Sequence, residues 1–247
     1  MSVVDIAKYM VPGHDDLVVQ ELHPYITAST EPNALLSQHM AGRRVDLQLV
    51  KHIASRIRDA DYGMRQYFED CIFAFPELEL FNLVDQTAQG SSSGRDGHTE
   101  YQRTFGALFA VYWLLRLGTD GKLGLSFGCD EAWRIRQAAE GDDDDRKTKF
   151  FNGMQWDLLQ QVADEALGGS LERVEAMLCL TAIHDIMKMS ALVPCLCRVH
   201  APYNSYGAGD SINDHDQALA YVLEYFPHLL PSFACLPGHL RDIVLFT

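Results

Sequence analysis

The chain has 247 residues, 47% of them hydrophobic, enough for one large domain or two small ones. A net charge of -14 and a pI near 5, with no Lys/Arg-rich tract to offset them, exclude a nucleic acid as partner and leave a small anionic molecule open. Six cysteines without a C-x-x-C pair read as reduced thiols of an intracellular protein, and Cys195 and Cys197, two apart with no second pair, argue against a zinc site there.

Residues 1–33 are broken by Pro12, Gly13, Pro24 and Pro32, and the opening MSVVDIAKYMVPGHDD lacks the basic start and apolar stretch of a signal peptide. The longest apolar run, FGALFAVYWLL at 105–115, is too short to cross a bilayer and is bounded by Arg103 and Arg116. No membrane partner is expected. The expected location is intracellular, taken as cytoplasmic, although composition does not separate cytosol from plastid. Oligomeric state stays open.

Apolar residues Leu49, Val50, Ile53, Ala54, Ile57 and Ala60 recur at helical spacing and predict a helix over Asp46–Ala60. A second helix is expected over Tyr62–Phe73, ending near Pro76. QGSSSGRDG at 89–97 reads as a loop and sets a soft boundary between an N-terminal helical extension (1–90) and a second unit (91–247). Helices are expected at about 99–117, 129–140, 149–167, 171–190, 214–226 and 237–245. EGDDDD at 140–145 is a solvated acidic turn, since it lacks the alternating oxygen ligands, central Gly and distal Glu of a calcium loop. Almost no strand pattern survives, so the fold class is all-α.

Several features carry no chemistry. His14 and His23 sit in loops and read as surface residues, as do His39 and His52 beside basic neighbours. His228 and His239 lie near Pro and Gly turns. Phe105, Phe109, Tyr112 and Trp113 form an aromatic stripe that reads as core. GSSSG lacks the G-K-[ST] ending of a phosphate loop, and there is no G-x-S-x-G elbow and no Cys–His neighbour pair.

LTAIHDIMKM at 180–189 is different: three ionisable residues, His184, Asp185 and Lys188, fall within five positions of an apolar helix. Burying charge without a partner is unfavourable, so these groups need one another or a ligand. One reading is a buried ion-pair network. The other has His184 and Asp185 holding a metal while Lys188 reaches an anionic substrate or an outer carboxylate. Other candidates flank them. His98 follows the Gly-rich loop at the mouth of an apolar helix, and His200, Asp210, Asp214, His215 and Asp216 fall within seventeen positions downstream.

This order resembles the HD-domain superfamily of metal-dependent phosphohydrolases, over roughly residues 95–247. The family pattern is a His on one helix, His-Asp in H-D-x-G-K on a second, further histidines in two-metal forms, and a closing Asp. It maps onto His98, then His184 and Asp185 in HDIMK, then DHDQALAYVLEYFP. Met187 stands where the family has Gly, and 86 positions separate His98 from His184. The closing Asp is open among Asp216, Asp210 and Asp242, or falls outside this chain.

The resemblance implies an HD-like helical bundle with one or two divalent ions (Mn, Fe, Zn, Co or Mg) on His98, His184, Asp185, His200, His215 and Asp216. Asp185 and Lys188 would be the catalytic pair, with Arg95 or Arg103 helping to balance phosphate charge. The expected activity is hydrolysis of a phosphate ester or nucleotide, a small anionic substrate. The local positive charge outweighs the net -14 field at contact distance, because exposed charges beyond about 8 Å are screened. The same ligand set suits an HD-type diiron oxygenase. A non-catalytic HD-like scaffold or partner-binding protein is the third reading, in which His184 and Asp185 bond to each other or to Lys188.

Overall fold

A computed structural model of the chain describes residues 31–84, 91, 94–126 and 153–245. The described residues form eleven α-helices and no strand longer than an isolated bridge, so the protein is all-α. Among them no helix is long and apolar enough to cross a membrane. The expected helix at 129–140 and the acidic turn at 140–145 lie outside the described residues, as do His14, His23 and Cys129.

Short polar caps start most of the helices that matter to the site. Asn33 opens α1 (Ala34–Met40) by accepting from the Leu36 N–H, and its Nδ2 donates to the carbonyls of Ala191 and Val193. Asp46 caps α2 (Leu47–Arg56). α3 (Met64–Ala74) ends where Pro76 begins a 3₁₀ turn, and α4 (Glu79–Val84) follows it. Asp96 caps α5 (Gly97–Leu115), and α6 (Gly121–Leu125) folds back against it. α7 (Trp156–Ala163) runs into a π-helical turn over Asp164–Gly168. Ser170 caps α8 (Leu171–Ile183), Asp214 caps α9 (His215–Tyr225), and α10 (Pro231–Ala234) and α11 (Gly238–Leu245) close the described chain.

α8 is the central helix. Leu178, Cys179, Ala182 and Ile183 are fully buried, and the helix packs against α2, α5, α10 and α11. The same apolar core includes Leu36, Ile53 and Tyr67 of the first helices and Leu240 and Val244 of the last, so residues before and after the 89–97 loop share one interior. At ~25 cal/mol per Å² of apolar surface removed from water, that interior is the main source of stability.

One buried carboxylate ties an early turn to a late helix, and one buried guanidinium ties the loop after α2 to α5. Glu77 is fully buried. Its carboxylate accepts from the Ser232 N–H (2.6 Å) and hydroxyl (2.5 Å) at the start of α10. Arg116, 3% exposed, donates to the carbonyls of Ile57 and Asp59 and forks onto Asp120.

The expected helix over 171–190 stops early. α8 ends at Ile183, His184 is its C-cap, and Ile186–Lys188 forms a separate 3₁₀ turn. Asp185, at φ -100 and ψ 1, breaks the α-helical run, and Met189 leaves it to bridge to Ser91. The helices α1, α4, α6 and α10 were not expected from the sequence. None exceeds seven residues, too few for a hydrophobic period to declare itself.

Candidate metal centre

The end of α8 sets the geometry of His184. Its Nδ1 lies 2.7 Å from the Thr181 carbonyl oxygen. A carbonyl can only accept, so Nδ1 carries the proton and donates it. That leaves Nε2, which lies 3.5 Å from Oδ1 of Asp185. In a neutral ring this nitrogen is an acceptor, and so is the carboxylate oxygen. A neutral ring can accept there from a proton donor or a cation. A backbone carbonyl holding Nδ1–H while Nε2 points outward is also how proteins orient a histidine for a metal.

Asp185 has a second partner. Lys188 Nζ sits 2.5 Å from the same Oδ1, with the lysine side chain 18% and the aspartate 8% exposed. The 3₁₀ turn explains this pairing, since residues three apart eclipse one another there. Lys188 therefore neutralises a buried carboxylate from within its own turn.

His184 and Asp216 line one cleft of about 430 Å³, walled by Leu180, Leu219, Leu223 and Val244. The cleft brings the C-terminus of α8 to the first turn of α9. There Asp214, His215 and Asp216 place ligand atoms within 4.8 Å of one another, the described group with three such ligands. His215 Nε2 is 3.3 Å from Asp216 Oδ1, and Asp216 is 81% exposed. The Asp214 carboxylate already caps α9, accepting from the Asp216 and Gln217 N–H groups. Sequence reasoning placed Asp214 in the acidic cluster without assigning it a role. Its position just before an amphipathic run is the N-cap signal that identifies that role.

His98 and His200 lie elsewhere. His98 is exposed on the first turn of α5, with Gln102 Nε2 2.9 Å from its ring. Among the described residues it shares no three-ligand group with His184 and Asp185. His200 stacks on Tyr225 at 4.0 Å, and its Nδ1 meets the Tyr221 hydroxyl at 2.9 Å. Burial raises the Tyr221 phenol above its ordinary range, so it keeps its proton. Its oxygen also accepts from the Cys197 N–H. The Cys195–Cys197 segment pairs with 209–212, where Gly209 adopts φ +86. Tyr221 thus holds both His200 and its loop against α9, a role that no local sequence pattern announces. Arg95 and Arg103 flank the buried Glu100 at 3.6 and 3.5 Å.

Among the described residues the candidate donors thus fall into two separate groups, His184 with Asp185, and Asp214, His215 and Asp216, and only His184 and Asp216 line the shared cleft. Imidazole and carboxylate donors are of the type that suits Mn, Fe, Zn or Co, although Asp185 Oδ1 is already paired with Lys188. No family model, curated protein or solved structure matches the chain.

Proposed function

We propose that the protein is a metal-dependent phosphohydrolase that acts on a phosphate ester in the cleft beside His184 and Asp216. One observation carries the reading: His184 Nε2 and Asp185 Oδ1 lie 3.5 Å apart while Nδ1 is committed to the Thr181 carbonyl. His184 and Asp185 would hold the ion, with the 214–216 group offering a second position. A divalent ion there supplies Lewis acidity toward a phosphoryl oxygen and acidifies water.

The chain's own residues do the rest. Thr181 fixes the imidazole tautomer, and Lys188 balances the Asp185 charge when no cation is bound. The apolar walls Leu180, Leu219, Leu223 and Val244 flank His184 and Asp216 in the cleft. Asp216, on the same cleft, is the carboxylate available to take a proton from the attacking water.

The test is phosphate release from 4-nitrophenyl phosphate and from nucleotides with Mn²⁺, Fe²⁺, Zn²⁺, Co²⁺ or Mg²⁺. Turnover should appear with at least one ion, and His184→Ala should reduce it beyond the roughly 10–100-fold that loss of an outer-shell partner brings. Absence of turnover with every ion overturns the reading.

A second reading, a non-catalytic helical module, is favoured by the Lys188–Asp185 contact, which satisfies the carboxylate from within the chain. Under that reading no first-row metal binds, and Lys188 serves stability alone.

A further inference from the structure

A second pocket adjoins the cleft. Leu180 and Val244 wall the His184–Asp216 cleft on one side and, on the other, a pocket of about 340 Å³ between α8 and α11. Its lining is apolar (Leu167, Met177, Leu240 and Ile243 among others) apart from Arg173. Arg173 is exposed and donates to the Ala166 carbonyl at 3.2 Å. The volume falls within the range of small-ligand sites, ~300–1,000 Å³. Ile243 in the pocket and Leu245 in the cleft are among the exposed large apolar side chains, at 53% and 38%. A cleft that sets an imidazole and a carboxylate among apolar walls thus adjoins a pocket that is apolar but for Arg173, the two sharing Leu180 and Val244.

We propose that the substrate is a phosphate monoester of an aliphatic alcohol, its alkyl chain in the α8–α11 pocket and its phosphate at His184, an inference that rests on the hydrolase reading. The occupant must be polar at one end and apolar along its body, because the cleft and the pocket differ in this way and adjoin. A nucleotide would set a hydrogen-bonding base against Leu167, Met177 and Leu240, which offer it no partner. In the reaction, water oxygen bonds to phosphorus, the bond from phosphorus to the alkyl oxygen breaks, and the alcohol leaves with a proton from that water.

The experiment compares decylphosphonate with butylphosphonate, whose C–P bonds resist hydrolysis, by calorimetry on the full chain with Mn²⁺ below the aggregation limit of either. Each buried methylene is worth about fourfold in affinity, so the decyl compound should bind at least tenfold tighter. Ala166→Trp, at an exposed position lining the α8–α11 pocket, should pull that ratio toward one, with thermal melting as the control for folding. Equal affinities, binding of neither compound, or a ratio unmoved by Ala166→Trp overturns the inference. Turnover of 4-nitrophenyl phosphate, measured alongside, separates the two claims. Turnover without chain-length dependence overturns the alkyl assignment alone, and chain-length dependence without turnover upholds the apolar site and overturns the hydrolase reading.

Discussion

Lys188 and Asp185 meet at 2.5 Å on the 3₁₀ turn that follows α8, and the carboxylate they share with His184 is almost wholly removed from water. Removing the lysine leaves that charge uncompensated. Lys188→Met is expected to destabilise the metal-free protein by about 3–5 kcal/mol, the range for breaking a buried pair. Mn²⁺ should then raise the melting temperature of the variant more than that of the wild type, because the cation takes over the neutralising role. Differential scanning calorimetry with and without Mn²⁺ checks both, and a variant as stable as wild type would refute them.

Glu77 gives the protein a pH-dependent element. Burial pushes its carboxyl above the ordinary range and outweighs the two bonds from Ser232, which pull it down. A carboxyl raised in the folded state binds its proton more tightly there than in the unfolded chain. Its contribution is complete below the unfolded value near 4.5 and is lost as pH rises through the folded value. Glu77→Gln cannot ionise and keeps both contacts, the amide oxygen accepting from the Ser232 N–H and the amide nitrogen donating to its hydroxyl. Denaturant midpoints from pH 4 upward should therefore decline for the wild type relative to Glu77→Gln. Glu77→Ala, which leaves both Ser232 donors buried and unpaired, should be destabilised by about 1–3 kcal/mol.

Arg116 joins the loop after α2 to α5 by donating to the Ile57 and Asp59 carbonyls while forking onto Asp120. A lysine has one nitrogen and no fork, so it cannot serve these acceptors together. Arg116→Lys is expected to cost about 2–3 kcal/mol, seen as a lower urea midpoint with an unchanged slope.

Gly124 on α6 lies against the Trp113 ring. A Cβ built there would stand 2.1 Å from the ring carbon Cδ2, well inside contact distance. Gly124→Ala must therefore displace α6 or the indole, at a cost of roughly 1–3 kcal/mol despite alanine's better helix propensity. A fall in melting temperature with a change in tryptophan fluorescence is the expected readout.

The all-α class and the longer helices were legible because α2, α5, α8 and α9 carry enough residues for a 3.6-residue period to emerge. The end of α8 was not. LTAIHDIMKM keeps an apolar helical rhythm through Met189, and the break at Asp185 arises from contacts distant in sequence, the Met189–Ser91 bridge and the Asn33 bonds to 191 and 193. That break decides whether Lys188 reaches Asp185 or the cleft. The pairing of His184 with Asp185, and of His215 with Asp216, could be read from adjacency. The separation of His98 and His200 from them could not, since histidines on different elements look alike in sequence whether they converge or not. Nothing in the run DHDQALAYVLEYFP marks Tyr221 as the residue that holds His200.

The most direct measurement of the central claim is a calorimetric titration of the metal-free chain with Mn²⁺, comparing wild type with His184→Ala. A cation held between His184 Nε2 and Asp185 Oδ1 predicts saturable binding to the wild type and a loss of at least about 100-fold in His184→Ala. No binding to the wild type, or equal binding to the two proteins, would contradict it.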